Sequence, residues 1–565
     1  MSLKICRNST VFITAMGAVP DAVYGIFSCD RLPLQEILAI EIAAKTHGCR
    51  EVTTLDDYRQ ITLKRVKDLF NTAFDIDTEW KYNFSSKVPL SIKNIQDINK
   101  ILFFEYLLEN KPNDNYIFLF DDLAIENLFI NVIEGKQLLA KKVLPTMKAF
   151  GRIARTVLRV LLNNTEQTPS KVVFYSLSAG APQANVDTYF GSLRDKISDR
   201  ATSSTVYLAS GNNFRLSHGG SQIPIEAFAS FFDVVKAFTE TISECLSRKN
   251  VNRISQTSNL NHNIIEYLKV SELKTGEFFM LQFCKRAYDR MLEKLRPKTL
   301  VHPFENRSWE KLLMLSARSH QVSNCVGYQH SSLTSRHLAF QIDDNESTEI
   351  YFPDSIITVG DVTADYLKSV SPIYQDKLIV GGSLRRVDVA SERSLPDISL
   401  LIAISSSFSE ALRLLVLLND CRDSIDVPVI IRSHPTIPIK ELFDSFNWPN
   451  NISLSEGKTL TADLLSVSLI AYSSSTVSLE GMLYGRLPVF IDIGDVPDGD
   501  PVLGECTVKY TVNKKNSLAD IINEYKLLDS RIRNEKSDLA ISYASNYLQK
   551  VDGSKLEKII DKIIE

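Results

Sequence analysis

Short apolar runs that stop abruptly at polar residues recur along this chain, separated by longer stretches of helical period. A strand buried on both faces needs no alternation, so brief branched and aromatic runs bounded by turn residues read as strands of a parallel sheet. In the first half this pattern predicts strands at 11–15, 116–120, 171–176, 206–210, 299–304 and 325–330. Helices are expected at 141–163, 222–248, 261–295 and 309–320. Around 335–355 the pattern loosens into polar sequence, with Asp343, Asp344, Asn345, Glu346 and Ser347 in a row, and a domain boundary is placed there. The second half predicts strands at 356–359, 378–380, 399–404, 427–432, 451–454, 469–472 and 487–491, with helices such as 410–418 and 461–466 between them. Strands alternating with helices specify α/β architecture. The expected organisation is an N-terminal α/β domain over 1–345, a second doubly wound domain over 346–515, and helices over 516–565.

At 565 residues the chain is too long for one core. Its composition is that of a globular protein, 44% hydrophobic and 23% charged. A net charge of -4 gives no sign of nucleic-acid binding. No apolar run reaches the ~18 residues of a membrane span, and the first residues carry no signal-peptide pattern. The 8 cysteines form no CxxC pair, which favours a reducing cytoplasm over a disulfide framework or zinc site.

Candidate chemistry gathers at the strand ends, where open parallel sheets bind ligands. The run Val429-Ile430-Ile431-Arg432-Ser433 ends in His434-Pro435. Proline stops further pairing and fixes the turn, so His434 is either a cleft-edge ligand for phosphate or ribose or a satisfied turn histidine. A second run ends at Ser473, Ser474, Ser475 and Thr476 and feeds a helix carrying Glu480. A helix start favours an anion. One hydroxyl would serve as an N-cap; four in a row exceed that need, and Glu480 could accept from ribose. Gly381-Gly382-Ser383 follows the 378–380 strand, as a phosphate cradle or an ordinary glycine turn, with Arg385 and Arg386 beyond it. Lys148, Arg152, Arg155 and Arg159 fall on one face of the 141–163 helix, a solvated stripe or a dock on an anionic membrane surface. Asp498-Gly499-Asp500 is read as a loop, and no metal is expected.

Together these residues resemble bacterial glycosyltransferases of GT-B architecture that use CMP-activated acidic sugars, among them His-Pro-motif sialyltransferases and the β-Kdo transferases of capsule and lipopolysaccharide. His434, Ser474 and Ser475 match the sialyltransferase CMP-binding positions. Phe304-Glu305-Asn306-Arg307-Ser308-Trp309-Glu310, Gly327-Tyr328-Gln329-His330-Ser331 and Asp187-Thr188-Tyr189-Phe190-Gly191 look like a bacterial surface-carbohydrate biosynthesis family. The resemblance spans roughly 170–495. It implies two Rossmann-like domains facing across a cleft, a CMP-sugar donor, a glycan or lipid-linked glycan acceptor of O-antigen or capsule type, no cofactor, and a cytoplasmic enzyme with peripheral membrane contact.

The catalytic carboxylate is then expected from the N-terminal side. Glu305 comes first, as nucleophile of a retaining reaction or general base of an inverting one; its rival reading is a cap on the next helix. The related β-Kdo enzymes use Asp as nucleophile, so a Glu departs from the pattern. Asp122 is the runner-up, since the sialyltransferases carry Asp-Asp-Gly at a strand end and Asp121-Asp122-Leu123 replaces the Gly. Asp187 is third. His330 would shuttle a proton or bind the donor carboxylate, with Arg307 and Arg336 as carboxylate partners. A donor activated by CDP or UDP, and a nucleotide-binding scaffold without catalysis, are the alternatives.

Overall fold

The computed structural model describes residues 2–27, 34–55, 57–75, 82, 95–111, 114–120, 122–133, 145–163, 168–178, 187, 189–209, 222–247, 259–342, 350–384 and 396–565. Asp121, Thr188, Arg385, Arg386 and the polar run at 343–347 lie outside the described residues. The described strands form three sheets, and every strand pairing in them is parallel.

The first sheet contains β1 (Ser2–Cys6), β2 (Val23–Phe27), β3 (Arg50–Glu51) and β4 (Asn115–Phe120), in the order β1-β4-β2-β3. The strand expected at 11–15 is instead part of a helix, Ser9–Ala18. Its β-branched residues are outvoted by a cap and a spacing: Asn8 accepts the Thr10 N–H at 2.8 Å, and Phe12, Ala15 and Met16 are buried on one face. This sheet and the helix Asn259–Thr275 share a core in which Phe27, Phe104, Phe118 and Phe129 meet Ile264 and Leu268.

The second sheet contains β5 (Val172–Ser178), β6 (Ser203–Ala209), β7 (Gln222–Pro224), β8 (Thr299–Pro303), β9 (Asn324–Gln329), β10 (Ser355–Thr358) and β11 (Leu378–Val380), ordered β11-β10-β9-β8-β5-β6-β7. The third contains β12 (Leu400–Ala403), β13 (Val429–Arg432), β14 (Ile452–Leu454), β15 (Leu469–Tyr472), β16 (Leu487–Ile491) and β17 (Tyr510–Val512), ordered β14-β13-β12-β15-β16-β17. Numbered from its own first strand, each of these two sheets runs 3-2-1-4-5-6, the doubly wound Rossmann order, with one further strand on the second sheet.

The strand pairings redraw the expected boundaries. β10 pairs with β9, and β11 with β10, so strands assigned to the second half complete the second sheet. No division between domains therefore falls between β9 and β10, which are neighbours in one sheet. The expected N-terminal domain carries two sheets, not one. The tail is not a separate unit either. Ile559, Ile560 and Ile563 of the last helix pack with Val172, Phe174 and Val301 of the second sheet. Tyr547 is fully buried, and its hydroxyl accepts the Leu333 N–H at 2.8 Å.

The helix expected at 261–295 is two, Asn259–Thr275 and Glu277–Leu295, broken at Gly276. Gly276 has φ +77°, and a Cβ there would meet Ala149 at 3.1 Å. The four basic residues do not form an outward stripe. Arg159 is buried, donating to the Ala209 carbonyl at 2.9 Å and to Glu226 at 3.2 Å, and Arg152 lies 3.9 Å from Glu277. No described helix is long and apolar enough to cross a membrane.

Candidate active site across two strand-end crevices

In a doubly wound sheet the ligand crevice opens where the chain turns from one side of the sheet to the other, at the carboxyl ends of the two strands flanking that point. In the third sheet those strands are β12 and β15. β12 runs into Ile404-Ser405-Ser406-Ser407 and β15 into Ser473-Ser474. Between them stands Glu410, in the first turn of the helix Phe408–Cys421, where Ser407 accepts its N–H at 3.3 Å.

Glu410 organises this end. One carboxylate oxygen accepts hydroxyls from Ser405 at 2.6 Å, Ser473 at 3.1 Å and Ser474. The other accepts the Arg336 guanidinium at 2.7 Å. Burial raises the Glu410 carboxyl, but the Arg336 charge and the hydroxyl donors outweigh it and hold the group below the usual glutamate value. Arg336 also reaches Asp495 at 2.6 Å and the Pro497 carbonyl at 3.2 Å, and Arg413 pairs with Asp495 at 2.8 Å. Two cations and two anions therefore cancel, and an anion here would depend on backbone donors. Among the described residues nothing accepts the backbone N–H of Ser474, Ser475 or Thr476. Ser475 Oγ instead takes the Val477 N–H at 3.4 Å.

His434 follows β13, one strand away from this crevice. Its carbonyl accepts the Ile437 N–H at 3.0 Å, closing the turn around exposed Pro435. Its Nδ1 accepts the Thr436 N–H at 3.2 Å and meets Thr436 Oγ1 at 2.7 Å. An acceptor at Nδ1 leaves the ring proton of the neutral form on Nε2, as a donor away from the turn. Glu480 is exposed, on the short helix Val477–Leu483.

In the second sheet the equivalent strands are β5 and β8. β8 leads through buried Phe304 to Glu305, and the following loop is fixed from below. Glu310 accepts the N–H groups of Glu305 at 3.0 Å, Asn306 at 2.9 Å and Arg307 at 3.2 Å. Asn306, at φ +56°, accepts from buried Lys311 at 2.7 Å and donates to the Ala339 carbonyl at 2.5 Å. The capping role considered for Glu305 therefore belongs to Glu310. Glu305 pairs with the Arg307 guanidinium, and its other oxygen lies 3.6 Å from His330 Nε2. His330 follows β9 with its side chain 5% exposed and meets the Tyr189 ring edge-on at 4.5 Å. Asp187 holds the neighbouring turn, accepting the Tyr189 N–H at 2.7 Å and the Phe190 N–H at 3.0 Å. Beneath the loop, His302 is completely buried, and that burial lowers its pKa to about 4, so the ring is neutral at pH 7.

Two expected site residues sit elsewhere. Asp122 belongs to the first sheet, where it caps the helix Leu123–Ile133 by accepting the Ala124 N–H at 2.8 Å. The glycine turn is no phosphate cradle: the N–H groups of Gly381 and Gly382 donate to the Thr358 carbonyl, and that of Ser383 to the Gln549 carbonyl at 2.8 Å. A Cβ on Gly381 would meet Ile357 at 2.5 Å, so close packing under the last helix accounts for the glycine there. Asp500 accepts Tyr472 Oη at 2.9 Å and Lys509 Nζ at 2.8 Å, which makes the Asp-Gly-Asp stretch a braced loop.

Residues 331–336 connect the two crevices, since His330 lines one and Arg336 the other. Six residue steps bound their Cα separation at about 22 Å. Sequence reading missed Glu410, Ser405, Asp495 and Glu310. A signal was present for the first: Ser407-x-x-Glu410 directly after an apolar run has the spacing of a capping box.

No protein-family profile and no curated relative matches the chain. Solved structures overlay on part of it. A UDP-GlcNAc 2-epimerase from Neisseria meningitidis, bound to UDP-GlcNAc, is 11% identical with a TM-score of 0.38, covering 70% of this chain and 99% of its own. The calicheamicin glycosyltransferase CalG4 is 12% identical with a TM-score of 0.41, covering 70% and 97%. TarM is 12% identical with a TM-score of 0.39, covering 70% and 99%.

Proposed function

We propose that this chain is a glycosyltransferase that moves a Kdo-like or nonulosonic sugar from a CMP donor to a bacterial surface glycan. The observation that carries this reading is the pair of strand-end crevices joined by residues 331–336, one rich in hydroxyls and open N–H groups, the other holding a carboxylate between a guanidinium and an imidazole. CMP lies on the third sheet. The N–H groups of Ser474, Ser475 and Thr476 take phosphate, and the hydroxyls that donate to Glu410 keep lone pairs for ribose. His434 Nε2 reaches the nucleotide from the neighbouring strand.

The sugar extends toward Glu305, with Arg307 against its carboxylate. Glu305 forms a bond to the anomeric carbon as the bond to the CMP phosphate oxygen breaks, and CMP leaves with the electron pair. The acceptor oxygen then displaces Glu305, and the acceptor proton passes to His330. Intact mass after incubation with CMP-Kdo or CMP-sialic acid tests this course. An adduct that disappears in Glu305→Ala is expected; turnover without an adduct would make Glu305 a general base. Thermal shifts with CMP, CDP and UDP test the donor class, and a shift with UDP alone would overturn the CMP assignment.

A further inference from the structure

The helix Met147–Leu162 is apolar on two sides. Ile153, Val157 and Val160 pack into the second-sheet core beside buried Arg159 and Thr156, while five further large apolar residues face solvent. Met147 is 86% exposed and Leu161 61%, with Phe150, Leu158 and Leu162 also exposed. One inward polar group fixes the orientation: Arg159 meets buried Glu226, whereas Thr156 Oγ1 donates to the Arg152 carbonyl of its own helix at 3.0 Å. Turning the helix over would strand the buried Glu226 carboxylate without its cation. The outward apolar face is therefore enforced by the inward ion pair.

The neighbouring helix Phe231–Ser247 packs against it in the same layer and enlarges the patch with Phe231, Val235 and Phe232, the last 73% exposed. With about 200 Å² for a large side chain, these exposures amount to roughly 800 Å² of apolar surface. That exceeds the ~300–600 Å² of the largest patch on an ordinary monomer and equals the ~800 Å² that one partner contributes to a stable interface.

The outward positions Met147, Gly151, Ala154, Leu158 and Leu161 follow alternating steps of four and three, the seam of a paired helix. Gly151 costs this helix about 1 kcal/mol relative to alanine, and a Cβ there would meet nothing within 4 Å. No neighbour among the described residues explains the small residue. A second helix crossing at Gly151 and Ala154 would, because small residues let two backbones approach. A bilayer needs no such gap. It would also favour several cations around the apolar face, but Arg159 is buried on Glu226 and Arg152 faces Glu277, which leaves Lys148 as the exposed one of the helix's four cations.

We infer that this face is the interface between two copies of the chain, related by a two-fold axis near Gly151 and Ala154. Sedimentation velocity over a range of concentrations tests it with the full chain. A dimer is expected, and Leu158→Asp combined with Leu161→Asp should dissociate it at least tenfold more readily with the far-UV circular dichroism spectrum unchanged, since both side chains are exposed. Ala154→Cys should cross-link on a non-reducing gel. A wild-type monomer at about 100 μM, weaker than any obligate dimer, would overturn the proposal. So would a dimer that survives the double substitution without an Ala154→Cys cross-link. Co-sedimentation of a monomer with phosphatidylglycerol vesicles, lost in the double variant, would assign the face to a membrane instead.

Discussion

Arg336 and Glu410 meet at 2.7 Å, with side-chain exposures of 13% and 4%, although they are far apart in sequence. Arg336 comes from the segment that leaves the second sheet, and Glu410 from the first helix of the third. The pair both orients the serine hydroxyls and ties the two crevices together.

Removing one partner strands the other. Arg336→Ala leaves buried Glu410 without its cation, while Asp495 keeps Arg413, and should cost about 3–5 kcal/mol, read by urea denaturation. Arg336→Lys should recover part of the loss but not the bridge between the Glu410 and Asp495 carboxylates. A loss below 1 kcal/mol would show that the pair does not hold the crevices together.

The same pair sets an acid limb. Glu410 is held below its ordinary value, so its contribution is present above the unfolded glutamate pKa of 4.5 and is lost as pH falls through the lower folded value. His302 acts in a higher window. Its folded pKa of about 4 lies below the ordinary histidine value of 6.5, so the unfolded chain binds the proton first and stability falls as pH drops from 6.5 toward 4. The full effect is about 3 kcal/mol. His302→Phe, among Phe304 and Trp309, should flatten melting temperature against pH across that window.

Ser473→Ala with Ser474→Ala should weaken CMP binding about tenfold or more, at ~1 kcal/mol for each hydroxyl. His434→Ala should cost less, because His434 lies one strand outside the β12 and β15 ends. Isothermal titration with CMP ranks the variants, and a larger loss for His434→Ala would move the nucleotide toward β13.

Glu305→Gln should leave CMP affinity intact and lower turnover by about 10²–10⁴-fold. Glu310→Ala should lower both turnover and stability, since it releases the N–H groups of three loop residues. A Glu305→Gln enzyme with full turnover would remove Glu305 from the chemistry.

The sequence by itself determined the parallel α/β architecture and most of the strand ends. Runs such as Leu469-Ile470-Ala471-Tyr472 are apolar enough to be buried on both faces and stop at polar residues. It also placed Glu305, His330, Ser473 and Ser474 at strand ends, because the apolar runs before them stop there. Strand order was decided only in three dimensions. β10 and β11 carry nothing local to say that they hydrogen-bond to β9 and β10 rather than to β12, so the polar sequence near 345 passed for a boundary. The fully buried ion pair of Arg159 with Glu226 was hidden for the same reason, since helical period shows which residues share a face and not which way that face turns. Only packing against the second sheet decided that Arg159 points in while Met147, Leu158 and Leu161 point out.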